Sequence, residues 1–226
     1  HQWLKNGFVL AGLLFGRLWH QADLVQLALL SVASFCLASS AVYVLNDWLD
    51  RQADALHPRK RHRPLASGAL SGTEGAMLGL ACLAGAVWLA ALTTPIFMGL
   101  LATYLLLNTA YTLRLKQVPV VDVFIIAAGF MLRLLAGTVG IGIAPSHWLL
   151  LCGLMLTLFL GFAKRRAELG ALMEKSGGHR RVLEHYSEPM LEQFLTMTAV
   201  GTVVTYSLYT VDAAGNLSAV ASNAIT

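Results

Sequence analysis

Three aspartates at regular spacing are the residues in this sequence best suited to chemistry. Asp47, Asp50 and Asp54 follow Asn46 at the end of a long apolar run, at positions i, i+3 and i+7. A helix turns 100° per residue, so this spacing places the three carboxylates, here named the aspartate stripe, on one face. Clustered carboxylates repel one another unless a cation lies between them, and an all-oxygen set with a neighbouring amide suits Mg²⁺. Because Mg²⁺ usually keeps phosphate oxygens as further ligands, the stripe predicts a site for a diphosphate-bearing substrate.

The segment that follows the aspartate stripe is dense in cations. Lys60 and Arg63 lie within residues 57–68, which also contain the turn-forming residues Pro64 and Gly68. A loop of this kind can fold over the stripe and donate charge-assisted hydrogen bonds to phosphate oxygens. On its own, such a segment is more often attracted to anionic lipids or reports topology. Its position beside three carboxylates favours phosphate binding.

A second basic segment precedes another acidic residue. Arg114 and Lys116 lie within residues 113–119, and Asp122 follows at a predicted helix start. Arg133 lies eleven residues further on, which returns to the same helix face roughly 16 Å deeper. An arginine at membrane depth is costly unless it faces a cavity or a partner, so it is a candidate functional residue. A structural ion pair inside the bundle is the alternative.

The last basic segment begins at the predicted end of the sixth helix. Cations at a helix end can interact with the last carbonyl groups and the helix dipole. They can equally bind phosphate opposite the aspartate stripe, and the segment alone leaves both interpretations open. Its relevant residues are Lys164, Arg165, Arg180, Arg181 and Tyr186.

Membrane-spanning helices must position these side chains. Of 226 residues, 57% are hydrophobic and only 12% are charged, and the mean hydropathy is +0.65. These values exclude a disordered, fibrous or disulfide-stabilised protein and are far from those of an ordinary soluble domain. Apolar runs of about 20 residues separated by short polar segments indicate an all-α, polytopic transmembrane bundle. The predicted helices are Asn6–Trp19, Leu24–Leu45, Thr73–Thr93, Pro95–Thr112, Val120–Ile143, His147–Ala163 and Pro189–Val211.

The distribution of charge predicts the orientation in the membrane. Counting the crossings places residues 47–72, 113–119 and 164–188 on one face, and these segments contain most of the 16 Lys and Arg residues. The positive-inside rule assigns that face to the cytoplasm. Topology thereby accounts for the net charge of +4, which gives no support to nucleic-acid binding.

Other chemistries find no support in the sequence. It contains no Gly-x-Gly-x-x-Gly, Walker-type loop, Ser/His/Asp order or Cys-x-x-Cys pair, so nucleotide-fold, hydrolase and zinc classes are not indicated. The cysteines at positions 36, 82 and 152 all fall inside apolar runs, and we interpret them as core residues.

The aspartate stripe matches the NDxxDxxxD signature of the UbiA superfamily of intramembrane prenyltransferases. The sequence most resembles the polyprenyl-phosphate phosphoribosyltransferase branch of that superfamily. The segments that carry the resemblance are NDWLDRQADALHPRKRHRPLASG, YTLRLKQVPVVDV running into GFMLRLLAG, and GFAKRRAEL followed by VLEHYS. They extend over nearly the whole chain, and the first is the most specific.

The resemblance implies a UbiA-like bundle of nine helices, whose central cavity opens to the membrane and is capped by cytoplasmic loops. About seven helices fit this sequence, so residues 1–226 are expected to form a single integral-membrane catalytic domain, truncated at both ends. Relatives that act on aromatic acceptors carry a second aspartate-rich motif after the sixth span. In this chain that place holds Lys164, Arg165 and Arg166, which favours a donor with an additional phosphate.

The implied activity is a Mg²⁺-dependent transfer of 5-phosphoribose from phosphoribosyl diphosphate to a polyprenyl phosphate, in the inner membrane of a bacterium with the site facing the cytoplasm. An oligomer is left open. The expected metal ligands are Asp47, Asp50 and Asp54, which with Lys60 and Arg63 form the catalytic set. The substrate-binding candidates are Asn46, Arg114, Lys116, Asp122, Arg133, Lys164, Arg165 and Tyr186.

Two other functions are considered. The first is prenyl transfer from a prenyl diphosphate to an aromatic acceptor on the same scaffold, which would be indifferent to phosphoribosyl diphosphate. The second is a transporter or channel whose intramembrane charges line an ion path. A transporter predicts broken spans and inverted repeats, and no convincing internal repeat is present.

Overall fold

The computed structural model describes residues 2–56, 58, 60–174 and 186–223, and side chains within that range except at 2, 171–174 and 213–223. The predicted cations Arg180 and Arg181 lie outside the described residues. Within them, the chain forms helices and no strand. These are a 3₁₀ segment Gln2–Leu10, α1 Ala11–Phe15, α2 Ala22–Ala55, α3 Gly72–Ala91, α4 Pro95–Leu113, α5 Val121–Ala136, α6 His147–Glu174 and α7 Glu188–Asn223.

Six helical segments are long and apolar enough to cross a membrane. They fall in α2 to α7, and the α5 segment extends through a 3₁₀ turn to Ile141. The prediction of an all-α polytopic bundle is therefore confirmed. The structure differs from the prediction mainly where helices begin and end.

The first predicted helix, Asn6–Trp19, is not a continuous α-helix. A 3₁₀ segment runs to Leu10, and α1 adds only five residues. Glycine lowers helix propensity in this stretch, and Gly12 also approaches another backbone closely. A Cβ added at Gly12 would lie 2.1 Å from the carbonyl oxygen of Gly137, so only glycine fits there.

The second helix is longer than predicted. It continues past Leu45 to Ala55, because no Gly or Pro interrupts the chain before Pro58. Its 34 residues span about 51 Å, whereas the hydrocarbon core of a bilayer is about 30 Å thick. The aspartate stripe therefore lies on a rigid continuation of a membrane span.

The sixth helix is also longer than predicted, and this corrects one interpretation. Lys164 and Arg165 do not lie at a helix end, since α6 continues to Glu174. No helix-breaking residue follows Ala163 until Gly170, and the chain remains helical there as well. The α6 carbonyl groups near these cations are paired within the helix, so capping does not explain them.

The chain divides into two compact units, and the division falls within α5. The first unit comprises residues 1–116 and 132–144, and the second comprises 117–131 and 145–226. That residues 1–226 form a single catalytic domain stays a prediction.

Each unit has its own core. In the first, Phe35 of α2 packs edge-on against Phe97 of α4 and in a tilted arrangement against Tyr104. Small residues allow α2 and α3 to approach, and Ser34 Oγ donates to the carbonyl oxygen of Ala86 at 2.9 Å. In the second unit the core lies between α5, α6 and α7 and includes Val123, Leu158, Phe162 and Leu191.

Candidate active site

The basic loop after α2 folds back onto the aspartate stripe. Arg63 donates from one atom, Nη1, to Asp47 Oδ1 and to Asp54 Oδ2, each at 2.8 Å. Lys60 Nζ lies 3.6 Å from Asp54 Oδ1. The carboxyl end of α2 and the loop that leaves it therefore form one charged site.

A second basic segment, after α4, completes this site. Lys116 lies in a short 3₁₀ turn, Leu115–Gln117, just after α4. Its Nζ lies 2.9 and 3.0 Å from the two carboxylate oxygens of Asp50. Asn46 directly precedes Asp47 on α2, and its assignment to substrate binding stays a prediction. Each carboxylate of the stripe thus has a basic partner, and the three negative charges face three positive ones.

The burial of the stripe increases toward its end. Asp54 is only 3% exposed, whereas the Asp47 and Asp50 side chains are 26% and 32% exposed. A buried carboxylate needs a charged or hydrogen-bonding partner, and Arg63 and Lys60 supply it. Asp47 and Asp50 remain within reach of solvent and of a ligand.

The donor set fits a divalent cation at two of the carboxylates. Asp47 Oδ1 and Asp54 Oδ2 converge on the point that Arg63 Nη1 occupies. Mg²⁺ commonly binds one or two carboxylates and completes its shell with phosphate oxygens and water. Among the residues that the structure describes, no three Asp, Glu, His or Cys side chains converge as metal ligands. The arrangement fits a two-carboxylate metal site for which Arg63 is the competing cation.

Three other predicted residues meet in a separate cluster within the second unit. Arg165 Nε donates to Asp122 Oδ2 at 2.8 Å, and the Tyr186 hydroxyl donates to Asp122 Oδ1 at 2.7 Å. Arg165 also forms an ion pair with Glu168. Asp122 and the Arg165 side chain are 0% and 1% exposed. Asp122 and Arg165 thus pair with each other in the protein interior, an arrangement typical of a network that stabilises the fold.

Tyr186 links α7 to the beginning of α5. Its hydroxyl oxygen accepts from the backbone N–H of Val120 at 2.7 Å while it donates to Asp122. Burial raises the pKa of Tyr186 above its ordinary value, and its hydrogen bond to Asp122 adds to the increase. The phenol therefore stays protonated at neutral pH and serves as a hydrogen-bond donor.

Arg133 lies in the core of the first unit. It is 6% exposed, and its Nε and Nη2 donate to Asn6 Oδ1 and to the Tyr104 hydroxyl, each at 2.8 Å. The guanidinium carbon lies 4.6 Å from the centre of the Tyr104 ring, a distance typical of a cation–π contact. An amide oxygen, a phenol hydroxyl and an aromatic ring thus contact this buried guanidinium.

The remaining candidates are exposed. Among the described residues, no carboxylate lies within ion-pair distance of Arg114. Lys164 is 62% exposed in its side chain and lies 3.9 Å from Glu168. Their assignment to substrate binding stays a prediction.

Sequence reasoning missed the role of the N-terminal segment. Asn6 is fully buried, binds Arg133, and donates to Ser39 Oγ at 3.2 Å. Lys5 Nζ lies 3.5 Å from the Tyr43 hydroxyl. The signal that could have indicated a role is a polar Lys-Asn pair directly before an apolar run.

The signature of the UbiA prenyltransferase family matches residues 7–169, which include the aspartate stripe and both of its basic segments. The chain belongs to the UbiA prenyltransferase family. Its α-helical bundle is accordingly that of an integral membrane protein.

Two curated relatives of this UbiA family member are named decaprenyl-phosphate phosphoribosyltransferase. The protein from Corynebacterium glutamicum is 36% identical over 217 residues, which cover 93% of this chain and 65% of that protein. The protein from Mycolicibacterium smegmatis is also 36% identical over 217 residues, covering 92% of this chain and 67% of that protein. The chain thus spans about two thirds of the length of these relatives.

A solved structure shows the same fold. A UbiA homologue from Archaeoglobus fulgidus bound to DMAPP and Mg²⁺ superposes with a TM-score of 0.67 at 21% identity. The match covers 81% of this chain and 66% of that one. It supports the UbiA-like bundle expected from the sequence.

Proposed function

We propose that this UbiA family member transfers 5-phosphoribose from phosphoribosyl diphosphate to the phosphate of a polyprenyl lipid. The observation that carries the proposal is that three basic side chains form ion pairs with the carboxylates of the aspartate stripe. One site then contains carboxylates that can hold a metal and cations that can hold phosphate. The identity to two decaprenyl-phosphate phosphoribosyltransferases, over more than nine tenths of the chain, supports phosphoribosyl diphosphate as the donor.

Asp47 and Asp54 are the residues we expect to hold Mg²⁺, with Asp50 beside them. When bound, Mg²⁺ neutralises charge on the diphosphate that leaves. Arg63 and Lys60 then turn from the carboxylates toward diphosphate oxygens, to which they donate charge-assisted hydrogen bonds. The Lys60 side chain is 47% exposed, so it can reach such a ligand without unfolding the loop.

The chemistry needs few other groups from the protein. An oxygen of the lipid phosphate attacks the anomeric carbon of the ribose, and the bond from that carbon to the diphosphate breaks. Pyrophosphate leaves with the bonding electron pair, and its charge is stabilised by the basic side chains. Since the lipid phosphate is already anionic, no strong general base is required.

The site is proposed to face the cytoplasm. Phosphoribosyl diphosphate is highly charged and water-soluble, so it would reach the end of α2 from the aqueous side. The polyprenyl chain would remain in the bilayer. The basic residues around the stripe are those that the positive-inside rule assigns to the cytoplasmic face.

Prenyl transfer to an aromatic acceptor is the second candidate. The Archaeoglobus fulgidus homologue with the same fold is bound to a prenyl diphosphate and Mg²⁺, so the scaffold accommodates such a donor. The two candidates share a diphosphate leaving group. They differ in the carbon that is attacked and in the acceptor.

One assay separates the two functions. Full-length protein in detergent is incubated with Mg²⁺, a polyprenyl phosphate and labelled phosphoribosyl diphosphate, and label is followed into the organic phase with and without EDTA. We expect label in the lipid only when Mg²⁺ is present. A preparation that transfers no phosphoribose but consumes a prenyl diphosphate with an aromatic acid would overturn the proposal in favour of the second candidate.

A further inference from the structure

The N-terminal 3₁₀ segment lies along α2 immediately before the aspartate stripe. Asn6 donates to Ser39, and Lys5 Nζ lies 3.5 Å from the hydroxyl of Tyr43, about one turn further along α2. Tyr43 in turn precedes Asp47 by four residues, so the two side chains share a helix face. The segment therefore places the Lys5 ammonium against Tyr43, one turn of α2 before Asp47.

Lys5 belongs to a pair of like charges. Arg133 lies near Lys5, because its Nε donates at 2.8 Å to the side chain of Asn6, the next residue along the chain. Throughout the described part of the chain, no carboxylate lies within 4.0 Å of Lys5 Nζ. Two cations that lie near each other, one of them buried, are stabilised by an anion that lies between or beside them. Lys5 and Arg133 together therefore have the charge that attracts an anion.

The position of Arg133 is fixed by the fold. Asn6 and Tyr104 each accept a hydrogen bond from its guanidinium at 2.8 Å. Asn6 is next to Lys5 in the chain, so the contact that orients Arg133 also sets the backbone that carries Lys5. Lys5 itself is exposed, whereas Arg133 is buried. The buried cation supplies a fixed field, and the exposed one can contact a ligand.

The pair lies next to the proposed reaction site. The Tyr43 hydroxyl contacts Lys5 Nζ at 3.5 Å, and Tyr43 lies one helical turn before Asp47 on α2. Four residues of α2 correspond to about 6 Å along the helix axis. The pair is on the side of the stripe that faces the apolar length of α2, away from the Lys60 loop. A ligand of the stripe could extend a second phosphate to this pair.

We propose that Lys5 binds a phosphate monoester of a substrate while the diphosphate occupies the aspartate stripe. The buried charge of Arg133 attracts the phosphate, and the Tyr43 hydroxyl contributes a hydrogen bond. This inference rests on the proposed function. The chemistry fits two groups that the proposed reaction contains: the 5-phosphate of phosphoribosyl diphosphate and the phosphate of the polyprenyl lipid. Lys5 is thus assigned to substrate binding and not to the step that breaks a bond.

The test compares Lys5→Gln with Lys5→Arg in the transfer assay, using full-length protein. The KM of each substrate and kcat are measured separately. We expect Lys5→Gln to raise the KM of one substrate about tenfold or more, since a charge-assisted hydrogen bond is lost. Lys5→Arg keeps the charge and should restore that KM to within a few-fold. The substrate whose KM rises identifies which phosphate is bound.

Arg51→Gln is the matched control, because Arg51 lies on α2 but contacts the Trp48 carbonyl and ring. Both KM values should stay unchanged in it. If Lys5→Gln lowers kcat or thermal stability while both KM values stay at the wild-type level, Lys5 has a structural role and the inference is wrong. If wild-type protein transfers no phosphoribose, the proposed function fails first and this inference fails with it.

Discussion

Removing the guanidinium of Arg63 should strengthen divalent-cation binding at the aspartate stripe. Its Nη1 atom lies 2.8 Å from both Asp47 Oδ1 and Asp54 Oδ2, where the two carboxylates converge. A metal ion that uses these oxygens must displace this nitrogen. The wild-type affinity for metal therefore includes the cost of breaking two ion pairs, and Arg63→Gln removes that cost.

The size of the effect follows from the burial of the two pairs. The Arg63 and Asp47 side chains are 36% and 26% exposed, so their pair contributes at most about 1 kcal/mol. The Asp54 side chain is only 4% exposed, and a charge-assisted hydrogen bond to it contributes roughly 1.5–3 kcal/mol before solvent screening. Because the Arg63 guanidinium is partly exposed, solvent screening weakens its ion pair with Asp54. Breaking both pairs therefore costs about 2 kcal/mol. This corresponds to about a 30-fold change in the dissociation constant.

Mn²⁺ provides a readout that does not depend on activity. Purified protein without substrate is titrated with Mn²⁺, and the free ion is measured by electron paramagnetic resonance. Arg63→Gln should bind Mn²⁺ about 30-fold more tightly than wild type, whereas Arg51→Gln should bind it as wild type does. Equal or weaker binding by Arg63→Gln would refute the idea that Arg63 and the metal compete for one point.

Two further sets of substitutions test the separate clusters. Asp50→Asn removes the charge that holds Lys116 and should lower kcat in the transfer assay about 100-fold, with the protein still inserted and folded; wild-type turnover would contradict a role for the stripe. Asp122→Asn breaks a pair with no exposure and should lower the free energy of unfolding by about 3–5 kcal/mol, measured by denaturation in detergent. Tyr186→Phe removes one hydrogen bond to Asp122 and should cost less, about 1–3 kcal/mol; an unchanged stability in both variants would show that the network is not structural.

The aspartate stripe is predictable because its geometry is local. Three residues at i, i+3 and i+7 share a face on any regular helix, whatever packs against it. The sequence also predicts that a basic loop follows, since Lys60 and Arg63 are only a few residues away. The length of α2 is less predictable, because hydropathy falls at Asn46 while no Gly or Pro ends the helix there.

The partners of the charges are much less predictable from sequence. Lys116 and Asp50 are 66 residues apart, and only the return of the chain through α3 and α4 brings them together. Lys164 and Arg165 are adjacent, yet one is exposed and the other is buried against Asp122. Adjacent helical residues point about 100° apart, so the packing of α6 decides which of them faces the core. Composition cannot distinguish the two.

The charge balance of the stripe has a consequence for how its ligands bind. Asp54 is almost fully buried, so it requires cations around it at every stage, and beside Lys60 these are either Arg63 or a metal ion. Metal alone would displace Arg63 without giving it a new partner, and diphosphate alone would draw Arg63 away from Asp54. When both bind, the metal takes the carboxylates and Arg63 takes the diphosphate, so each charge keeps a partner.

Metal and phosphoribosyl diphosphate should therefore raise each other's affinity by the same factor, as linkage requires. In Arg63→Gln the exchange of partners is lost, and this coupling should shrink toward the level set by metal binding to the diphosphate in solution. The measurement is the Mn²⁺ titration repeated at several concentrations of phosphoribosyl diphosphate, for wild type and for the variant. Equal coupling in the two proteins would mean that Arg63 stays on the carboxylates when both ligands are bound, and that the metal binds elsewhere.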